Sequence, residues 1–266
     1  MKVFRYQFYL LLIASISLLS SCANDQMKII PKNISSTHDI VDIDSNLVIP
    51  YDYKNVVSLK ELSVKDKKRK FIDLVLPGIL VSKYQLKTLQ KKVNQLINKD
   101  TANLSANKKA FLQNLLVKYK AKNFPELLSK LNTHPTSIVL AQSAIESGWG
   151  TSRFFLEANN IFGVWSFQKT DDRIKAQQSR QGKATYLKKY PSISASIEGY
   201  FETLARGPYK EFRKQREATQ NPYVLIKYLN NYSELGLEYV EQIRLVIKKN
   251  NLRQYDSYSI DPDYLP

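Results

Sequence analysis

The stretch "PTSIVLAQSAIESG", residues 135–148, constrains this chain more than any other. It is apolar or small on almost every side, so a helix built from it belongs in a protein core. Pro135 suits a first turn and Gly148 a stop, which predicts about three turns over residues 135–147. One carboxylate, Glu146, falls on the last turn. There the helix dipole disfavours negative charge and apolar neighbours withdraw water, so both effects raise its pKa. A carboxyl that keeps its proton near neutral pH can give it to a leaving oxygen. Spacing alone leaves this acid level with a plainer alternative, a Glu bonded to the backbone of the following turn.

The whole chain, 266 residues with 43% hydrophobic content, is enough for one sizeable packed domain plus appendages. Its charge of +16 suits a polyanionic partner: nucleic acid, an acidic lipid surface or a carboxylate-rich polymer. No basic and aromatic RNA-binding signature is present, so nucleic acid is not an expected partner. The two histidines, His38 and His134, stand alone as ordinary loop residues, and no metal site is expected. Nor is there a phosphate loop, a nucleophile elbow or a cofactor motif.

At the N-terminus, Lys2 and Arg5 precede the apolar run Phe8 to Leu19, which is short for a permanent membrane span. The run ends in "LSSC", with Cys22 as the one cysteine. Basic flank, apolar run and small residues before a cysteine read as a lipoprotein signal peptide over residues 1–21, with Cys22 acylated. Ala23 rather than Asp after Cys22 resembles the outer-membrane lipoproteins of enteric bacteria, which implies a periplasmic domain; in a Gram-positive source the domain would stand outside the plasma membrane. Residues 22–58 lack helical periodicity and read as a flexible tether, about 120 Å long at full stretch.

From Lys60 onward apolar residues recur every three to four positions, with Pro77-Gly78 as a break. Further helices are expected over 107–122, 125–131, 193–204, 209–216, 224–232 and along Leu237, Val240, Ile243 and Ile247. Between them, "GVWSF" and "ATYLKKY" read as a two-stranded hairpin whose tip is the polar run from Gln168 to Gly182. The fold class is therefore mostly α (α+β): one helical domain over 59–256 with a small hairpin, and an irregular tail over 257–266.

"LAQSAIESGWGTSRF" followed by "NNIFG" resembles the active-site helix and adjoining turn of the bacterial glucosaminidases, glycoside hydrolase family 73. The segments "YPSISASIEGYFETL" and "YSELGLEYVEQIRLVI" are also similar to that family's. The resemblance implies a lysozyme-like domain with a groove for the glycan strands of peptidoglycan, cut at N-acetylglucosamine. It puts the general acid at Glu146, and Tyr239 in "GLEYVEQI" matches a family tyrosine across the cleft. Many members carry a second carboxylate on the hairpin, but the matching stretch here, "QQSRQG" at 177–182, has none. Asp171 and Asp172 are the nearest candidates in sequence, against the plainer reading of a solvated turn. Without them, the substrate's own acetamido oxygen or a water held by an uncharged group takes that role. Sugars stack on aromatic rings and bond to amides, which nominates Trp149, Phe162, Trp165, Asn159 and Asn160 as substrate contacts. Packing is the competing expectation for the aromatics.

Overall fold

In the computed structural model, the described residues are 26–98, 103–176 and 184–266. Cys22 and the stretch 177–182 lie outside them.

Helix α4 (Thr136–Ser147) forms where the apolar run predicts it, and ten of its twelve residues are buried. Helix α1 (Val64–Ile97) runs beside it and buries an unbroken segment from Phe71 to Ser82. Pro77 lies inside that segment and does not end the helix, contrary to the expected break. The proline removes only the N–H that the Asp73 carbonyl would accept, and packing on all sides holds the helix through that loss. Gly78 is where α1 meets helix α6 (Ile193–Arg206): a Cβ there would stand 3.0 Å from Ile197 and 3.2 Å from Ile193.

The C-terminal half of α1 joins helices α2 (Ala106–Lys118) and α3 (Phe124–Leu131) around a second apolar cluster that includes Val93, Leu112, Leu115 and Leu127. Helices α5 (Arg153–Ala158), α7 (Lys210–Ala218), the short α8 (Pro222–Leu225) and α9 (Leu237–Lys249) complete the body. Among the described residues the protein is mostly α, with three small two-stranded pairings.

Residues 26–58 are not a flexible tether. Strand β1 (Ile30–Lys32) pairs in parallel with β3 (Tyr51–Tyr53), and Ile34, Ile40, Val48 and Tyr53 enter the main core. Asp52 accepts the backbone N–H and hydroxyl of Ser194, so this strap holds the first turn of α6. The tail is not loose either. Strand β2 (Leu47–Val48) pairs in parallel with β6 (Ser259–Ile260), and Lys28 donates its N–H to the Tyr264 carbonyl. Both ends therefore belong to the helical body. These four buried apolar residues of the strap lie five to eight positions apart, a spacing that carries no helix or strand period.

The small β lobe also departs from expectation. Strand β5 (Tyr186–Lys188) pairs antiparallel with β4 (Arg173–Lys175), which comes from the run read as a polar tip. "GVWSF" supplies a bridge between Trp165 and Leu187 on the other edge of β5.

Candidate active site

Glu146 owes its position to how both ends of α4 are fixed. At the N-terminus Pro135 offers no side-chain cap, and Asp256 substitutes for one: its carboxylate accepts the Ser137 N–H at 2.7 Å and the Ser137 hydroxyl at 2.9 Å. At the other end Gly148 is left-handed at φ 58°, and the N–H groups of Gly148 and Trp149 return to Ile145 and Ala144. Gly150, at φ 80°, passes so close to Phe71 and Leu59 that a Cβ would stand 3.0 and 3.1 Å from them. This tight exit ends the helix one residue after Glu146.

Glu146 is half-buried, and burial raises its pKa above the ordinary carboxylate value. Tyr239, from the first turn of α9, donates its hydroxyl to Glu146 Oε1 at 2.7 Å, which lowers the pKa and offsets part of that rise. Among the described residues the other oxygen, Oε2, has no hydrogen-bond partner, and it is not among the buried unpartnered atoms. Tyr239 is itself buried and stacks on Tyr232 at 5.6 Å with an interplanar angle of 6°. Burial and the adjacent Glu146 push the pKa of the Tyr239 hydroxyl upward, so it stays a neutral donor.

The remaining candidate residues divide sharply. Asn160 is buried, and its amide is fully engaged: Oδ1 accepts the Val164 N–H, while Nδ2 donates to the carbonyls of Val164 and Lys188. Asn159 donates to the carbonyls of Lys54 and Tyr190. Both expected sugar contacts are thus corrected to structural clamps, because the β lobe has backbone carbonyls that need donors. Phe162 is also corrected, being buried and stacked on Tyr200 at 4.3 Å. Trp149 packs edge-on to Phe71 with Lys68 over its ring, and lines a shallow groove with Ile145 and Gln242.

Trp165 remains available, at 38% exposure. With the exposed Phe167 it lines a cavity of about 720 Å³ between α1, α6 and the β lobe. Glu146 is not among that cavity's lining residues, but the turn at Gly207 is, and Tyr209 two residues on lies within electrostatic reach of Glu146. Asp171 accepts the Ser166 hydroxyl at 2.9 Å and turns back on its own loop. Neither Asp171 nor Asp172 contributes to the shift of the Glu146 pKa, in which Tyr239 is the hydrogen-bonding contributor. Both second-acid candidates thus lie on the β-lobe turn, without a hydrogen bond to Glu146 among the described residues.

Gln142, Tyr200 and His134 escaped the sequence reading. Gln142 precedes Glu146 by four residues and shares its helix face, a signal that could have found it. His134, read as a loop residue, is fully buried against Tyr200, Phe201 and Phe212. Among the described residues no group of three or more His, Cys, Asp and Glu side chains is placed to hold a metal.

This arrangement, an acid on a buried helix end with one oxygen held and the other open, coincides with a family match. Residues 121–252 match the glucosaminidase family, described as mannosyl-glycoprotein endo-beta-N-acetylglucosaminidase. These residues form a glucosaminidase domain. Protein bax of Escherichia coli is 28% identical over 193 residues, covering 65% of this chain and 66% of that protein. Peptidoglycan hydrolase FlgJ of Salmonella typhimurium is 30% identical over 145 residues, 48% of this chain and 43% of FlgJ. Exo-glucosaminidase LytG of Bacillus subtilis is 24% identical over 128 residues, 45% of each. The chain thus spans 66% of the first and under half of the other two. The matched residues include none of the strap, α1 or α2, although all three pack onto them in the same structure.

Proposed function

We propose that this protein is a peptidoglycan hydrolase that cleaves the glycan strand at N-acetylglucosamine, as an endo-β-N-acetylglucosaminidase, with Glu146 as general acid. The observation that carries the reading is the split environment of Glu146: Oε1 bound by Tyr239, Oε2 open. Burial keeps a proton on the carboxyl, Oε2 delivers it to the glycosidic oxygen, and the Tyr239 hydroxyl meets the negative charge that this leaves. The similarity to named peptidoglycan hydrolases supports the substrate class.

Because the stretch 177–182, where the family's second acid would fall, carries no carboxylate, the substrate's 2-acetamido oxygen forms the new bond to the anomeric carbon as the glycosidic bond breaks. Water then opens that intermediate and returns a proton to Glu146. Trp165 offers its ring to a sugar face. The protein is an exported lipoprotein held through Cys22, in the outer membrane facing the periplasm. Because residues 26–58 are docked, only residues 22–25 link the lipid to the body, and four residues reach about 14 Å at most. The domain then works close to the membrane surface and does not patrol at a distance.

Digestion of isolated peptidoglycan, followed by mass spectrometry of the fragments, tests the activity. Reducing-end N-acetylglucosamine is expected from the wild type and is lost in Glu146→Gln. Anhydro-muramyl ends would assign a lytic transglycosylase instead, and binding to peptidoglycan without release would assign a scaffold. For the anchor, Cys22→Ser is expected to move the protein from the membrane fraction to the soluble one.

A further inference from the structure

Four hydrogen bonds join His134 to Glu146 through side chains alone. His134 Nε2 lies 2.9 Å from the Tyr200 hydroxyl, which lies 2.7 Å from Gln142 Oε1. Gln142 Nε2 lies 3.0 Å from the Tyr239 hydroxyl, and that hydroxyl lies 2.7 Å from Glu146 Oε1. His134, Gln142, Tyr200 and Tyr239 are each at most 1% exposed, so water does not compete for these bonds.

While Glu146 is ionised, its carboxylate fixes the direction of every bond; once Glu146 is protonated that constraint lapses, and the far end of the chain decides. An ionised Glu146 only accepts, so Tyr239 donates its one proton to it and must accept from elsewhere. Its partner is then the Gln142 amide nitrogen, which turns Gln142 Oε1 toward Tyr200 and makes the Tyr200 hydroxyl a donor. Having given its proton to Gln142, Tyr200 accepts from His134, which requires the Nε2–H tautomer. That tautomer leaves Nδ1 bare, and Nδ1 is a buried atom without a partner. Burial, with Arg216 and Lys83 adding repulsion, holds the His134 pKa well below its ordinary value and keeps the ring neutral.

We propose that His134, Tyr200 and Gln142 are positioning residues that hold the Tyr239 hydroxyl as a donor to Glu146 Oε1 and so confine the acidic proton to Oε2. The proposal rests on Glu146 being the general acid. Its physical basis is that a chain of single-proton links has two directions. Were it reversed, Glu146 would donate from Oε1 into the protein, and Oε2 would face the substrate empty. The neutral His134, a fixed donor at the far end, selects the productive direction. Removing the Tyr200 hydroxyl frees the Gln142 amide to turn over, present its oxygen to Tyr239 and draw that proton away from Glu146. Tyr209 and Tyr232 feel the charge of Glu146 but make no hydrogen bond to it and do not replace the link.

Two spectroscopic readouts need no substrate, so they are independent of whether peptidoglycan is the right polymer. In ¹⁵N spectra of the full chain, His134, identified by its absence in His134→Gln, is expected as the neutral Nε2–H tautomer from pH 6 to 8. A neutral Nδ1–H tautomer would overturn the proposal. In ¹³C-glutamate-labelled protein, the Glu146 carboxyl is expected to titrate at higher pH in Tyr200→Phe than in the wild type, matching the direction seen in Tyr239→Phe. His134→Phe is the second variant, expected to act the same way, while His134→Gln keeps a donor near the Nε2 position and restores wild-type titration. A Glu146 titration that stays put in a folded Tyr200→Phe or His134→Phe protein would sink the idea, whatever the enzyme does. On peptidoglycan, Tyr200→Phe is expected to lower kcat about tenfold with KM little changed, and to move the basic limb of the pH profile upward. A purely structural network would lower stability and leave that limb in place.

Discussion

Asp73 and Glu146 are both carboxylates in the buried stretches of their helices, and burial raises the pKa of each, to about 7 for Asp73. Their surroundings differ. Asp73 lies under the N-terminal strap, where Oδ1 accepts the Ile43 N–H at 3.3 Å and Oδ2 is buried without a partner. Asp73 is only 5% exposed. Glu146 has one oxygen fixed by an oriented donor chain and the other left open. A raised pKa therefore reports burial in both places, and only the donor chain and the open oxygen distinguish an acid that can act on a substrate.

Substitution of both residues probes that distinction most strongly. Glu146→Gln is expected to reduce release of sugar from peptidoglycan by roughly 10²- to 10⁴-fold, the range of a lost general acid. Asp73→Asn should change the same rate by less than about twofold. Comparable losses in the two variants would erase the contrast.

Tyr239→Phe comes next, with a fall in kcat of roughly 10- to 100-fold. Glu146 must be protonated to act, so activity falls as pH rises through its pKa. Removing the Tyr239 bond removes the one influence that lowers that pKa, so the basic limb of kcat/KM should move to higher pH. A downward movement would mean that the limb belongs to another group.

The effect of Asp73 is on stability. Its folded pKa, about 7, stands above the ordinary 3.8, so between those values the folded state holds a proton that the unfolded chain lacks. Stability from this group is complete below about pH 3.8 and is lost as pH rises through 7. Asp73→Asn should then raise the melting temperature at pH 8 by roughly 2–6 °C, on the order of 1–2 kcal/mol after allowance for screening, with no gain near pH 4. Thermal melts at the two pH values decide it.

The smallest expected effect belongs to the β lobe. Trp165→Ala should raise KM several-fold with kcat nearly intact, whereas Asp171→Asn and Asp172→Asn should leave both within about twofold. A large kcat loss in either aspartate variant would bring a second carboxylate back into the mechanism.

How much of this was legible in the sequence depends on the range of the contacts involved. Helix α4 and its glycine exit were readable because apolar periodicity and a left-handed stop are local signals. The strap was not, since Ile34, Ile40, Val48 and Tyr53 have no short period and gain their meaning from partners more than a hundred residues away. Strand β4 was hidden in a polar run because a lobe edge needs few apolar residues to pair. Asn159 and Asn160 were misread for a related reason: an amide fits a sugar rim and a backbone carbonyl equally well, and sequence does not say which lies closer.

By itself, the sequence determined a mostly helical body built round one apolar helix, with a carboxylate on that helix's last turn. Tertiary structure decided what that carboxylate can do. Tyr239 arrives from α9, Tyr200 from α6 and His134 from the loop before α4, so the donor chain exists only where three separate parts of the polypeptide meet. Periodicity is a property of neighbours along the chain, whereas the direction of a buried hydrogen bond is set by which distant groups share one dry space.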